Sequence, residues 1–158
     1  MKTLYFDCAM GAAGDMLMGA LSELHPDRDG FLTRLNRALA GRAVVSAAPD
    51  SKCGISGTHI SVSINGREEG EEPDGHCDAG HHHHHTSVGE IFAFLDHAEA
   101  DSAVIADAKA VYTLLADAES RVHGRPIENI HFHEIGSLDA LADILGVSML
   151  IHELAPDK

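Results

Sequence analysis

The residues best suited to chemistry lie close together near the C-terminus, in His131-Phe132-His133-Glu134-Ile135-Gly136-Ser137-Leu138-Asp139. Residues two apart in an extended segment point the same way, so His131 and His133 share a face while Phe132 turns into the core. Asp139 and Asp143 fall four apart on the helix that begins there and share one of its faces. Two imidazoles with Glu134, Asp139 and Asp143 make a donor set suited to a divalent transition metal. The plainer alternative is a solvated loop with one satisfied core histidine. Glu119 and His123 form a second pair, four apart at the end of the preceding helix, able to grip a metal from one face or to form a surface ion pair.

A third group is of another kind. Residues 67–85 run Arg-Glu-Glu-Gly-Glu-Glu-Pro-Asp-Gly-His-Cys-Asp-Ala-Gly and then His81, His82, His83, His84 and His85. This segment has nothing to bury and is expected to be a disordered, solvent-exposed insertion. With His76 and Cys77 it offers loose ligands to a soft or borderline metal, for recruitment or storage without fixed geometry. A polar linker is the competing reading, and an engineered tag is disfavoured because the run is interior.

The elements that must position these groups follow from patterning. Residues 3–7 have strand composition, and a small-residue loop to Gly14 leads to Asp15, the expected N-cap of an apolar helix running to about Leu24. Strand, glycine loop and helix can hold a phosphate on free amides. The stretch lacks both the P-loop Gly-Lys-Ser/Thr and a full GxGxxG, so a tight turn explains it as well. His25-Pro26 ends the first helix, and a second begins at Gly30-Phe31 and ends by Gly41. Strands follow at 43–47 and 58–64, with 52–57 a glycine-punctuated connection, and Asn65-Gly66 marks a turn. After the insertion, Thr86 or Ser87 caps a short helix. A longer one is expected from about Ser102 to His123, with Val104, Ala108, Val111, Leu115, Ala118 and Val122 inward. Gly124-Arg125-Pro126 stops it. The last helix begins near Leu138 and carries Leu141, Leu145 and Met149. The order predicts one α/β or α+β domain over 1–158, a small sheet with flanking helices.

Composition narrows the function. The chain has 158 residues, 44% of them hydrophobic, and no tryptophan, so its core is aliphatic. Its net charge is −14, which argues against nucleic acid and anionic membranes and favours cations. Cys8, Cys53 and Cys77 are odd in number and lack CxxC spacing, so neither a disulfide framework nor a zinc ribbon is indicated. No apolar run reaches membrane-spanning length and the N-terminus carries no signal-peptide core, so a soluble, cytoplasmic protein is expected.

Together these motifs resemble a family. Phe6-Asp7-Cys8-Ala9-Met10-Gly11-Ala12-Ala13-Gly14-Asp15-Met16 looks like the Asp-x-x-x-Gly-x-x-Gly-Asp-Met opening of the nickel-insertion (LarC) proteins. Residues 53–60 (CGISGTHI) resemble their Gly-Ile-x-Gly-Thr segment, and a His-rich insertion in this place is typical of them. Residues 118–124 (AESRVHG) and 131–146 (HFHEIGSLDALADILG) resemble two later signatures in the same order. The resemblance implies insertion of nickel into a pyridinium bisthiocarboxylate mononucleotide, completing the nickel-pincer nucleotide cofactor of lactate racemase. It also implies dependence on CTP with Mg or Mn, through a C-terminal portion with no counterpart here. The chain is thus expected to be the N-terminal half of a lyase-class nickel chelatase, either a fragment or separately encoded. Its expected partners are a nucleotide-like small molecule, a C-terminal LarC chain and further copies of itself. On this reading His131, His133, Glu134, Glu119 and His123 form the ordered nickel site. Asp7, Asp15 and Asp139 orient the ligands or hold the phosphate's counter-ion, and Gly11 and Gly14 leave room for the phosphate.

Two other classes compete. A non-catalytic nickel metallochaperone or store would depend on residues 76–85, so their deletion would abolish function, whereas the enzyme would only load metal less well. A zinc hydrolase built on residues 131–134 with Glu119 and His123 would need a hydrolase signature such as HExxH, which is absent.

Overall fold

The computed structural model describes residues 1–9, 11–64, 66–68, 86–132 and 136–158, with backbone alone at 67, 68 and 131. The elements are α1 (Gly14–Leu24), α2 (Arg28–Ala38), β1 (Val44–Lys52), β2 (Ile55–Ile64), β3 (Arg67–Glu68) and β4 (Thr86–Ser87). They continue with α3 (Val88–His97), α4 (Ser102–His123), a short 3-10 turn (Ile127–Asn129), β5 (His131–Phe132) and α5 (Leu138–Leu154). Strands β1, β2 and β3 form one sheet in that order, and β4 and β5 form another. The expected mixed class, a small sheet with flanking helices, is observed. Every strand pair described is antiparallel, which makes it the α+β variant.

The hairpin is longer than expected. The connection at 52–57 is mostly strand, because Cys53 and Gly54 turn the chain with φ of 54° and 80°, the positive values that a two-residue hairpin turn needs. The register then pairs Lys52 with Ile55 and Val44 with Ser63. Residues 67 and 68 also pair back onto β2, so the sheet enters what the composition marked as insertion. The remainder of that segment, residues 69–85 with His76 and His81 to His85, lies outside the described residues.

Other boundaries move for local reasons. Residues 3–7 are not a strand. Their backbone partner is the C-terminal tail, where Leu4 N donates to Lys158 O (2.8 Å) and Asp157 N donates to Lys2 O (2.7 Å), too little for a ladder. Helix α2 starts at Arg28 because Asp27 caps it, accepting from Gly30 N (3.0 Å). Of the two candidate caps for α3, Ser87 is used, in a capping box with Glu90. Helix α4 has the expected span, but its buried face is Val104, Ala108, Tyr112 and Ala116. Val111 is 38% and Val122 80% exposed, so neither belongs to that face.

Helix α5 is the centre of the core. It packs on α1, α2, α4 and β2, and buries Leu141, Leu145, Met149 and Leu150. Helix α1 lies directly on β2, where a Cβ at Gly19 would come within 2.6 Å of the Thr58 carbonyl oxygen. Asn36 of α2 clips β1, accepting from Val45 N (2.7 Å) and donating to Val45 O (2.9 Å). Glu153 near the end of α5 receives a two-pronged contact from Arg34 (3.0 and 2.6 Å) and lies 2.9 Å from His25 Nε2. Among the described residues, no helix is long and apolar enough to cross a membrane.

Candidate functional site

The start of α5 is fixed from two sides. Ser137 caps it, its Oγ accepting from Ala140 N (3.2 Å), and Phe132 anchors the chain just before it, 2% exposed with its ring 5.9 Å from that of Tyr112. Phe132 therefore points inward as the alternation requires, in a two-residue ladder that pairs His131 with Ser87 and Phe132 with Thr86. Of His131 only the backbone is described, and His133 and Glu134 lie outside the described residues.

One turn into α5, Asp139 and Asp143 line a cleft of about 320 Å³ together with Asp15 of α1 and His59 of β2. Gly14 determines how closely α1 approaches. A Cβ there would lie 2.5 Å from both Cβ and Oδ2 of Asp143, so the carboxylate occupies the space a side chain would take. One expectation is corrected. Asp15 is not the N-cap of α1, which is Ala13; Asp15 sits in the first turn and its Oδ1 accepts from Met16 N (2.7 Å).

Three aspartates and an imidazole, with no cationic side chain in the lining, make this cleft attractive to cations and repellent to anions. It is not a closed coordination shell. Among the described residues no three His, Cys, Asp or Glu side chains converge tightly enough to hold one ion. The cleft also bears on the core behind it. Tyr112 is fully buried, and its hydroxyl has no hydrogen-bond partner among the described residues. Burial pushes its phenol well above the ordinary value, and the Asp143 carboxylate pushes it further.

The other sequence candidates lie elsewhere. Glu119 and His123 form an ion pair with each other, Oε2 to Nε2 3.1 Å, on the exposed end of α4 and outside the lining of the cleft. Asp7 spends its Oδ1 on Ala9 N (3.1 Å) in a local turn. Gly11 has a φ of 89°, donates to Cys8 O (2.9 Å) and faces open space. Cys8 and Cys53 are free and exposed. His59 was missed as a candidate. Its signal was available, a histidine at an outward position of an alternating strand whose inward residues are Ile60 and Val62. Tyr112 was also missed, a lone aromatic among alanines at positions 108 and 116.

A family model described as nickel insertion protein matches residues 4–158. The pyridinium-3,5-bisthiocarboxylic acid mononucleotide nickel insertion protein of Akkermansia muciniphila is 34% identical over 158 residues, covering 99% of this chain and 37% of that protein. Its namesake from Acetivibrio thermocellus is 35% identical over 162 residues, covering 100% and 37%. That of Lactiplantibacillus plantarum is 34% identical over 157 residues, covering 92% and 36%. The chain thus spans little more than a third of the length of these curated relatives. No solved structure matches.

Proposed function

The chain belongs to the nickel insertion protein family, and from that premise we propose that it is the metal-handling part of a nickel insertion reaction whose acceptor is a pyridinium bisthiocarboxylate mononucleotide. The observation that carries this reading is the acidic cleft at the start of α5, lined by Asp15, His59, Asp139 and Asp143.

The chemistry is one of exchange. Nickel is the cargo, so it must be held firmly enough to be selected and loosely enough to be passed on. Carboxylates and imidazoles bind it and release it more readily than a thiolate cage does. The sulfur donors of the acceptor then hold the ion more strongly than aspartate oxygens can, which gives transfer its direction. In this reading the cleft wall gathers the hydrated cation, and His131, His133 and Glu134 complete its ligands at the tip of α5. Glu119 and His123 stand two turns beyond Tyr112 on α4 and are a reserve pair. Asp7 and Gly11 belong to the loop that borders α1 and are not ligands. CTP, with its Mg or Mn, is assigned to the remaining length of the relatives, supplied by the same polypeptide or by a partner chain. The whole is a lyase-class nickel chelatase acting in the cytoplasm as a homo-oligomer.

The test uses nickel transfer to the acceptor with the partner portion present and nickel saturating. The His131→Ala/His133→Ala variant is expected to lose transfer while keeping its fold, and Asp139→Asn/Asp143→Asn to fall at least tenfold. Deleting residues 69–85 should only raise the nickel concentration required. Wild-type transfer by the 131/133 variant would remove the assignment. Loss of all transfer on deleting 69–85 alone would instead favour a His-rich store or metallochaperone.

A further inference from the structure

Helix α5 has a second concavity at its start, on the face turned away from the aspartates. It measures about 670 Å³, within the roughly 300–1,000 Å³ of small-molecule sites. Its floor is apolar, from Leu138 and Leu141 of α5 and Ile91 and Phe94 of α3. Its rim carries Arg42, in the turn between α2 and β1, and His97, at the end of α3.

Unlike the acidic cleft, this pocket carries a cation, Arg42, beside a single carboxylate, Glu90. The Arg42 guanidinium lies over the Phe94 ring, 4.9 Å from its centroid. Other arginines are committed to carboxylates, Arg34 to Glu153, Arg37 to Glu99 and Arg121 to Asp117. Arg42 has an aromatic face beneath it, and stacking in this way leaves the edge of the guanidinium, with its fork of N–H donors, available to an oxyanion. The carboxylate in the lining, Glu90, accepts from Ser87 N (2.8 Å) and Ser87 Oγ (2.9 Å), which hold it at the cap of α3. Gly136 lines the pocket as well.

We propose that this pocket binds the flat, anionic aromatic partner of the metal, a phosphorylated pyridinium carboxylate, with the ring against Phe94, Leu138 and Leu141 and an anionic group on Arg42. The identity of this ligand rests on the nickel insertion reading; the pocket's preference for an aromatic anion does not. The ring gains from the apolar floor, and its carboxylate or phosphate gains from the guanidinium that the Phe94 face holds in place. The acidic cleft excludes the same molecule by repulsion, so cation and anion approach α5 from opposite faces. They meet at the N-terminal end of the helix.

The experiment is amide shift mapping on the labelled full chain with pyridinium-3-carboxylic acid mononucleotide (nicotinic acid mononucleotide) as the probe. Inorganic phosphate and ribose 5-phosphate are the controls. Saturable shifts are expected at Ala40, Ala98 and Leu138, with Ser61 and Val62 of the acidic cleft unmoved. Arg42→Gln should weaken binding at least tenfold, Arg42→Lys less, and Phe94→Leu severalfold. Nickel titrated into Arg42→Gln should bind as it does to the parent chain. No shift at the pocket, shifts at Ser61 and Val62 instead, or equal affinity for phosphate alone would overturn the proposal, as would unchanged binding by Arg42→Gln. A chain that takes the probe at this pocket but binds no nickel would sink the nickel reading and leave the pocket standing. Nickel binding without probe binding would do the reverse.

Discussion

The two concavities beside α5 are built from neighbouring residues and suit opposite ligands. Successive helical residues are about 100° apart, so Asp139 and Asp143 lie within about 40° of each other, and Leu138 and Leu141 centre on nearly the opposite side. One face meets Asp15 and His59, the other Phe94 and Arg42. The difference sets the start of this helix apart from the rest of it. From Leu141 onward α5 is a core helix, buried at Leu145, Met149 and Leu150. Its first turns depart from that pattern by carrying two half-buried carboxylates where an apolar stripe would pack better. A carboxylate in such a place costs desolvation unless a partner or a cation offsets it. On the apolar side Leu138 is half-buried and Leu141 buried, with an arginine at the rim of the pocket they line. Both features occur where the chain enters from residues 131–135.

The largest effect should come from breaking the element common to both regions. Phe132 is 2% exposed, stacks near Tyr112 and anchors the ladder that brings the chain to the tip of α5. Phe132→Ala removes a buried aromatic ring and is expected to cost about 3–5 kcal/mol in urea unfolding. At temperatures where the variant is still folded, nickel and the pyridinium probe should both bind less well. If only one ligand is affected, the two concavities do not depend on a common connector and the comparison fails.

A smaller substitution should separate the regions. At Gly14 an added Cβ would fall 2.5 Å from the Asp143 side chain, so Gly14→Ala must push α1 and the carboxylate apart. The expected cost is about 1–3 kcal/mol, as for other overpacked sites. Asp143→Ala should make room and recover part of that loss, a coupling measurable in a double-mutant cycle. Probe binding at Arg42 should remain at the parent level in Gly14→Ala, while nickel binding falls. Additive costs for Gly14→Ala and Asp143→Ala would show that the contact does not shape the cleft.

These contrasts also show what was legible in the sequence. The later helix ends were, because capping is local chemistry: Ser87 with Glu90, Gly124 after His123, and Ser137 before α5 all carry their signals within four residues, whereas Asp15 and Gly30 misplaced the starts of α1 and α2. The pairing of Asp139 with Asp143 was legible for the same reason, since helical spacing alone puts them on one face. Bringing Asp15 and His59 to that face depends on α1 lying on β2 at Gly19, a contact between segments some forty residues apart that no local pattern encodes. The face of α4 was misjudged because an alanine-rich helix is apolar on several sides, and only the position of Tyr112 against Phe132 decides which is buried. Arg42 and Phe94 were invisible as a pair, being separate in sequence and unremarkable singly.

The finest test concerns Tyr112, which lies behind the acidic cleft. Its hydroxyl is buried without a hydrogen-bond partner among the described residues, and burial together with Asp143 raises its phenol pKa. Below the ordinary phenol value of about 10 the folded and unfolded chains both keep the proton, so its contribution to stability is fully present. As pH rises further the unfolded chain gives up that proton first. Stability is therefore lost progressively on the alkaline side, toward the raised folded value. Tyr112→Phe has no proton to lose, so the difference between parent and variant should grow in the variant's favour above about pH 10. At neutral pH the variant should lie within about 1 kcal/mol of the parent, because it gives up an unpartnered hydroxyl and keeps the ring on Phe132. Lysines and Tyr5 titrate in both chains and cancel in the comparison. A neutral-pH loss of about 1–3 kcal/mol would mean instead that the hydroxyl has a hydrogen-bond partner outside the described residues, so that Tyr112 holds the core behind the cleft by more than its ring on Phe132.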